Sequence, residues 1–382
     1  MQDVSFSKAE LERYSRHLII PEFNIEGQKK LKQAKVLVVG SGGLGSPMLL
    51  YLTAAGVGTI GIVDFDVVDE TNLQRQVLFG VESVGRSKVE AAKERLESLN
   101  PHINIITHNV HLNSANALEI AKNYDVIADG TDNFPTRYLV NDVSVLLDVP
   151  NVYASIFRFE GQVSVFNLVD QNGKRGPQYR DLFPTPPPPG LVPSCAEGGV
   201  IGVLPGIIGS LQANEVLKVI TGIGEPLSGR LFLFDALTFT TRTLKISPHP
   251  ETPKITELID YQTFCGIGPH SDQTASLVPE ITVQELQKLR DHGHDYQLID
   301  VREPYEYEIS NLDGDLIPLG QLEQSLDQIS RDRPVIVHCR SGKRSADAIL
   351  LLQNKYGFTN LQNLKGGILA FAEEIDSSLA KY

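Results

Sequence analysis

An α/β protein built in two units is what this sequence predicts, and three observations carry the expectation. A glycine turn, Gly40 to Gly45, separates two uncharged β-branched runs, with helix formers between the turn and the second run. Strand and helix patterns alternate to about residue 255, and a second, shorter α/β pattern resumes after a polar, proline-dotted stretch. The larger unit is therefore expected over 1–255, a linker over 256–280 and the smaller unit over 281–382.

The first seventeen residues, MQDVSFSKAELERYSRH, mix both charges and contain no apolar segment, so no secretory signal is expected there. From Val36 to Val63 no charged residue occurs, and that length alone suits a membrane span. Its glycines argue otherwise: Val36 to Val39 reads as a strand, Gly40 to Gly45 as a turn, Pro47 to Ala55 as a helix and Thr59 to Val63 as a strand. Such continuous apolar runs fit a parallel sheet covered on both faces.

An amphipathic helix follows from Arg86 to Leu99, with Val89, Ala92, Leu96 and Leu99 on one face and Asn100-Pro101 as its stop. Further strands are expected at Ile103 to Thr107, Asp125 to Ala128, Val163 to Asn167 and Leu231 to Phe234. Between Asp170 and Gly199 the prolines can continue neither helix nor central strand, which predicts a long exposed crossover loop. In the smaller unit the pattern predicts a helix over Val283 to Asp291, strands over Gln297 to Val301 and Val335 to His338, and a helix over Ser345 to Tyr356.

Composition narrows the function. The 382 residues hold 34 Lys+Arg against 47 Asp+Glu, a net charge of −13, which argues against a nucleic-acid or anionic-membrane binder. Any phosphate chemistry must come from local basic clusters. The three cysteines, Cys195, Cys265 and Cys339, form no C-x-x-C pair and no disulfide framework. They read as isolated thiols of a reducing compartment, the cytoplasm.

Gly40-Ser-Gly42-Gly43-Leu-Gly45 satisfies G-x-G-x-x-G between strand and helix, where backbone N–H groups approach phosphates. Asp64 closes the next strand, the place for an acid on ribose hydroxyls. These two features alone would favour an NAD-dependent dehydrogenase. Downstream, however, stand Arg75 in NLQRQ, Lys88 in GRSK and Asp132 in DGTDN. A triphosphate being cleaved needs cations on its phosphates and a carboxylate for magnesium, which a dinucleotide does not. Singly, Arg75 reads equally as a solvated charge, Lys88 as a first-turn helix residue and Asp132 as a helix cap.

Taken in order, GSGGLG, DFD, NLQRQ, GRSKVE, TDN, FEGQV and SLQANEVLK resemble the ubiquitin-activating-enzyme-like adenylyltransferases of the MoeB/ThiF branch, over residues 8–265. The resemblance implies a Rossmann-like domain that adenylates the C-terminal glycine of a ubiquitin-like sulfur carrier with ATP and magnesium, releasing pyrophosphate. It implies an ATP site at Gly40, Gly42, Gly43, Asp64, Asn72, Arg75, Lys88, Asp132 and Asn133, with Asp132 at magnesium and Arg75 and Asp132 in catalysis. It further implies a homodimer, in which Arg16 reaches the partner's site. Many members of the branch bind structural zinc through two C-x-x-C pairs. Here the first pair's positions are Gln178 and Asp181 and the second falls in the cysteine-free SPHPETPK, so no zinc is expected.

Cys339 follows an apolar strand and opens CRSGKR ahead of a helix; successive N–H groups and three cations there suit a thiolate nucleophile. This loop, with LIDVRE upstream and LKGG downstream, resembles rhodanese sulfurtransferases over about residues 281–380. A phosphatase loop of the same fold carries one more residue between cysteine and arginine. The tighter loop suits a sulfur atom. Where many rhodaneses read G-H-I-x-G, this chain has SNLDG.

Cys195 matches a family cysteine able to bond the carrier or its persulfide, and reads equally as an incidental loop thiol. Cys265 reads as a packed structural thiol. Together these features predict a fused adenylyltransferase and sulfurtransferase: Cys339, loaded by a cysteine desulfurase or other sulfur donor, converts the carrier adenylate to a thiocarboxylate for molybdopterin or a related sulfur-containing cofactor. The alternatives are an NAD-dependent dehydrogenase and an adaptor with an inactive rhodanese domain.

Overall fold

The charge-free stretch folds as β1 (Lys35–Val39), the helix Gly45–Ala55 and β2 (Thr59–Val63). Val36 and Val38 pack with Met48, Leu49, Val89 and Val216 on one side of the sheet, whereas Leu37 and Val39 pack with Tyr138, Leu139 and Val143 on the other. Side chains alternate across a strand, so burial on both faces demands the unbroken apolar run. The computed structural model describes residues 4–187, 198–266 and 278–382, and the chain divides into two units, Met1–Ile267 and Gly268–Tyr382.

In the first unit, β3 (Asn104–His108), β4 (Val126–Asp129), β5 (Asn151–Phe157), β6 (Glu160–Phe166), β7 (Arg230–Asp235) and β8 (Thr240–Lys245) complete a sheet ordered β3-β2-β1-β4-β5-β6-β7-β8. Pairing is parallel from β3 to β5 and antiparallel beyond. The strand order reverses between β1 and β4, which opens a crevice outside their carboxyl ends, the usual ligand position in such sheets.

The helix Val203–Thr221 is long and apolar enough to cross a bilayer, yet it packs on the helix Gly45–Ala55, β5 and β6. Its buried Gln212 explains part of SLQANEVLK: Nε2 donates to the carbonyls of Asp129 at 2.7 Å and Val152 at 2.8 Å. This ties the helix to the crevice floor.

Two stretches differ from the sequence expectation. Within the expected exposed loop, the short helix Tyr179–Leu182 buries Tyr179 and Arg180. Arg180 is drawn inward by Asp142, to which its Nε and Nη2 donate at 2.9 and 2.7 Å, and Tyr261 donates to the same carboxylate at 2.7 Å. A buried charge needs such a partner. Tyr261 also brings the start of the expected linker into the core, where Cys265 is buried and its pKa is pushed up by burial to about 11.

At one of the two positions that the resemblance assigns to a cysteine pair, Asp181 accepts from the N–H groups of Gln178 (2.7 Å) and His249 (2.8 Å) and from the Thr252 hydroxyl (2.6 Å). Among the described residues, no group of three or more His, Cys, Asp or Glu side chains is placed to hold a metal ion.

The second unit has β9 (Glu280–Ile281), β10 (Gln297–Asp300), β11 (Asp315–Leu316), β12 (Val335–His338) and β13 (Leu361–Leu364), all parallel, ordered β11-β10-β12-β13-β9. The central strand β12 is buried throughout and delivers Cys339 at its carboxyl end.

Candidate functional sites

After Val39 the chain turns directly through Gly40 to Gly45. Gly40 has φ +89°, a left-handed conformation that favours glycine, and a Cβ on Gly45 would lie 2.0 Å from the Gly40 carbonyl oxygen. The turn can therefore lie flat, which aims the N–H groups opening the helix Gly45–Ala55 at the crevice. Asp64, at the end of β2, braces it: one carboxylate oxygen accepts from the Ser41 N–H (2.9 Å) and hydroxyl (2.8 Å), the other from the Asp66 N–H (3.0 Å).

A cavity of about 310 Å³ is lined by Gly40, Gly42, Gly43, Asp64, Arg75, Lys88, Asp132 and Asn133. Its size falls at the lower end of the ~300–1,000 Å³ of small-molecule sites. Lys88 is buried at the start of the helix Lys88–Leu99, with Nζ 2.9 Å from the Asp66 carboxylate. Arg75 is half-buried and donates to the Thr71 carbonyl at 3.1 Å. Asn133, not Asp132, caps the helix Phe134–Leu147, accepting from the Thr136 N–H at 3.0 Å. That leaves the exposed Asp132 carboxylate with no hydrogen bond among the described residues, a fit for a hard divalent cation.

Arg137, also on the wall, is a residue that sequence reasoning missed. It is buried, donates from Nη2 to the Thr131 carbonyl at 3.2 Å and leaves Nε without a partner. Its place in TDNFPTR, one turn into the capped helix, was the available signal. Beneath it Asp129 is fully buried; burial pushes its pKa up, and Oδ2 is unpaired. Glycine N–H groups, Arg75, Lys88, Arg137 and a free carboxylate together suit a polyphosphate with its cation.

Two predicted residues do not line this cavity. Asn72 closes the short turn Glu70–Asn72 and accepts from the Asp69 N–H at 3.2 Å, and Arg16 lies exposed on the helix Ser15–Leu18. Cys195 lies outside the described residues.

In the second unit Cys339 is buried, its Sγ accepting from the Gly342 N–H at 3.2 Å. Gly342 has φ +96°, which folds the loop back before the helix Lys343–Tyr356. The Ser345 hydroxyl lies 3.4 Å from Sγ and 2.6 Å from Asn363 Oδ1, and its single proton serves one of them at a time. Arg344 donates to both oxygens of Glu306, at 2.6 and 2.7 Å. Burial opposes ionisation of Glu306, but Arg344 and the Glu303 N–H outweigh it and hold its pKa below the ordinary value. This cradle suits a single anionic sulfur.

The ThiF family matches residues 14–254, and the rhodanese-like domain matches residues 282–374. The probable adenylyltransferase/sulfurtransferase MoeZ of Mycobacterium tuberculosis is 50% identical over 381 residues, 99% of this chain and 97% of that protein. The sulfur carrier protein adenylyltransferase of Thermus thermophilus is 52% identical over 268 residues, 69% of this chain and 99% of that protein. Among solved structures, E. coli MccB with ATP shares the fold: TM-score 0.55 and 24% identity, covering 65% of this chain and 75% of that one.

Proposed function

From the premise that the chain belongs to the ThiF family and carries a rhodanese-like domain, we propose how its two sites act in sequence. It is an adenylyltransferase and sulfurtransferase, and its substrate is a ubiquitin-like sulfur carrier protein. In the crevice the carrier's C-terminal carboxylate attacks the α-phosphorus of ATP; a P–O bond forms, and pyrophosphate leaves with the electrons of the bond that breaks. Arg75, Lys88 and the glycine N–H groups neutralise the phosphate charge that builds up in this step. Magnesium, held by Asp132, would supply further charge neutralisation on the phosphates. Arg16 would complete the site of a partner copy in a homodimer, and Asn72 would close on the bound nucleotide.

The carboxylate, inert by itself, now carries AMP as a leaving group. A sulfur donor such as a cysteine desulfurase loads Cys339 as a persulfide, whose outer sulfur attacks the acyl carbon and expels AMP. A second thiol, Cys195 or an external reductant, then attacks the Cys339 sulfur; the S–S bond breaks and the carrier thiocarboxylate leaves. Tethering both sites in one chain raises the effective concentration of the persulfide at a labile adenylate. Synthesis of molybdopterin or a related sulfur-containing cofactor would consume the product, in the cytoplasm, where free thiols stay reduced.

The observation that carries this proposal is the convergence of the glycine turn, Arg75, Lys88 and Asp132 on one crevice. Arg75, Lys88 and Asp132 together are more than nicotinamide binding needs, which sets the dehydrogenase alternative aside. The test is carrier-dependent ATP–pyrophosphate exchange, expected to vanish in Asp132→Ala and survive in Cys339→Ala. Loss in both variants would overturn the division of labour. Thiocarboxylate formed by Cys339→Ala would favour the adaptor alternative.

A further inference from the structure

The segment Ala380–Tyr382 is tied to the supports of the cysteine loop. The Ser310 hydroxyl donates to the Ala380 carbonyl at 3.2 Å. Arg340, the residue after Cys339, donates from Nε to the Tyr382 carbonyl at 2.5 Å, and its guanidinium lies 5.6 Å from the centre of the Tyr382 ring. The Tyr382 hydroxyl accepts from Arg302 and lies 3.4 Å from Glu306, the same carboxylate that grips Arg344. Arg302 is itself fully buried and fixed by Asp300, so the hydroxyl meets a rigid wall.

One residue thus joins the arginines at the two ends of the CRSGKR loop. We propose that Tyr382 is a positioning residue for sulfur transfer: its ring and carbonyl hold Arg340, while its hydroxyl locks it to the Arg302–Glu306 wall that holds Arg344. A free arginine loses much rotamer freedom when it closes on an anionic sulfur donor. Arginines held in place beforehand lose less, so the clamp acts on donor binding more than on the chemical step.

The test uses the full chain with thiosulfate as donor and cyanide as acceptor. The Cys339 thiolate attacks the outer sulfur of thiosulfate; a new S–S bond forms, the old one breaks, and sulfite leaves with its electron pair. Cyanide then removes the outer sulfur as thiocyanate and regenerates the thiolate. Tyr382→Ala, which loses the ring beside Arg340 and the hydroxyl's bond to Arg302, is expected to raise the KM for thiosulfate about tenfold, with kcat within about twofold of wild type. Tyr382→Phe, which keeps the ring beside Arg340 but loses the hydroxyl's bond to Arg302, is expected to recover part of that loss. An unchanged KM in Tyr382→Ala, whatever its kcat, would overturn the clamp, as would equal KM values in the two variants. The proposal rests on Cys339 as the sulfur carrier, and that premise fails separately, by turnover persisting in Cys339→Ala.

Discussion

The nucleotide crevice and the cysteine loop are made from the same part, a turn between the carboxyl end of a central parallel strand and the N-terminus of a helix. In the crevice, apart from Lys88, which meets Asp66, and Asp64, which braces the turn, the polar groups are held in reserve. Among the described residues, Arg75 makes one bond to a carbonyl, Asp132 makes none, and Arg137 keeps an unpaired Nε. In the loop they are already committed: Arg344 is paired twice with Glu306, Arg340 is held by Tyr382, and Sγ is buried. The contrast matches what each is proposed to bind. A polyphosphate brings several charges that uncommitted groups can meet, whereas one sulfur atom on a cysteine needs a cradle fixed in advance.

The largest expected effect separates the two sites. Asp132→Ala should lower carrier-dependent pyrophosphate exchange by ~10²–10³-fold, as loss of a preorganised charge does, and leave thiosulfate–cyanide turnover as in wild type. A fall in both would break the picture of two independently built sites.

Next comes acid stability, which sharpens the difference through the residue before Cys339. Burial pushes the His338 pKa down to about 4, against the pull of the Asp300 carboxylate 3.6 Å away. An unfolded histidine titrates near ~6.5, so below that pH the unfolded chain takes up a proton that the folded one refuses. The stability this neutral imidazole confers is complete above pH ~6.5 and is lost as pH falls towards 4, by up to about 3 kcal/mol. Urea unfolding of the second unit's signal at pH 7 and 4.5 should show the loss in wild type and a smaller one in His338→Leu.

Cysteine chemistry gives a third contrast. With its pKa raised to about 11 by burial, Cys265 should alkylate about 10²-fold more slowly at pH 8 than an ordinary thiol, and react freely once unfolded in urea. Peptide mass spectrometry after iodoacetamide treatment reads this directly, and rapid labelling in the folded chain would remove Cys265 from the core. The smallest effect is expected from Ser345→Ala, which deletes the hydroxyl beside Sγ. Loss of one modest hydrogen bond should slow thiosulfate–cyanide turnover by about fivefold, and unchanged turnover would mean that the Gly342 N–H alone cradles the sulfur.

Much of this was legible before folding. Glycine spacing, charge-free strands and the cysteine-arginine loop are local patterns, and local patterns survive in sequence because backbone geometry demands specific residues at fixed offsets. Both glycine-dependent turns and the central strands β1, β2 and β12 lie where the sequence placed them. Less legible were groups whose partners are distant along the chain. Arg180 sits in a stretch that reads as exposed loop, and Asp142 with the Tyr138 and Phe264 rings holds it inside. Arg137 reads as one more helical arginine until the fold buries it against the crevice. The short strands β9 and β11 carry too few residues to show a period.

By itself, then, the sequence determined the two α/β units, the glycine turn after β1 and the cysteine loop after β12, because each is encoded by neighbours within a few residues. Tertiary structure decided which charges are free and which are spent. Lys88 meets Asp66, Arg344 meets Glu306 and Arg340 meets Tyr382 only after the chain has folded, while Asp132 is left without a hydrogen bond among the described residues. Whether a charged group can serve a ligand depends on the partners that folding brings within hydrogen-bond reach, and spacing along the chain does not record them.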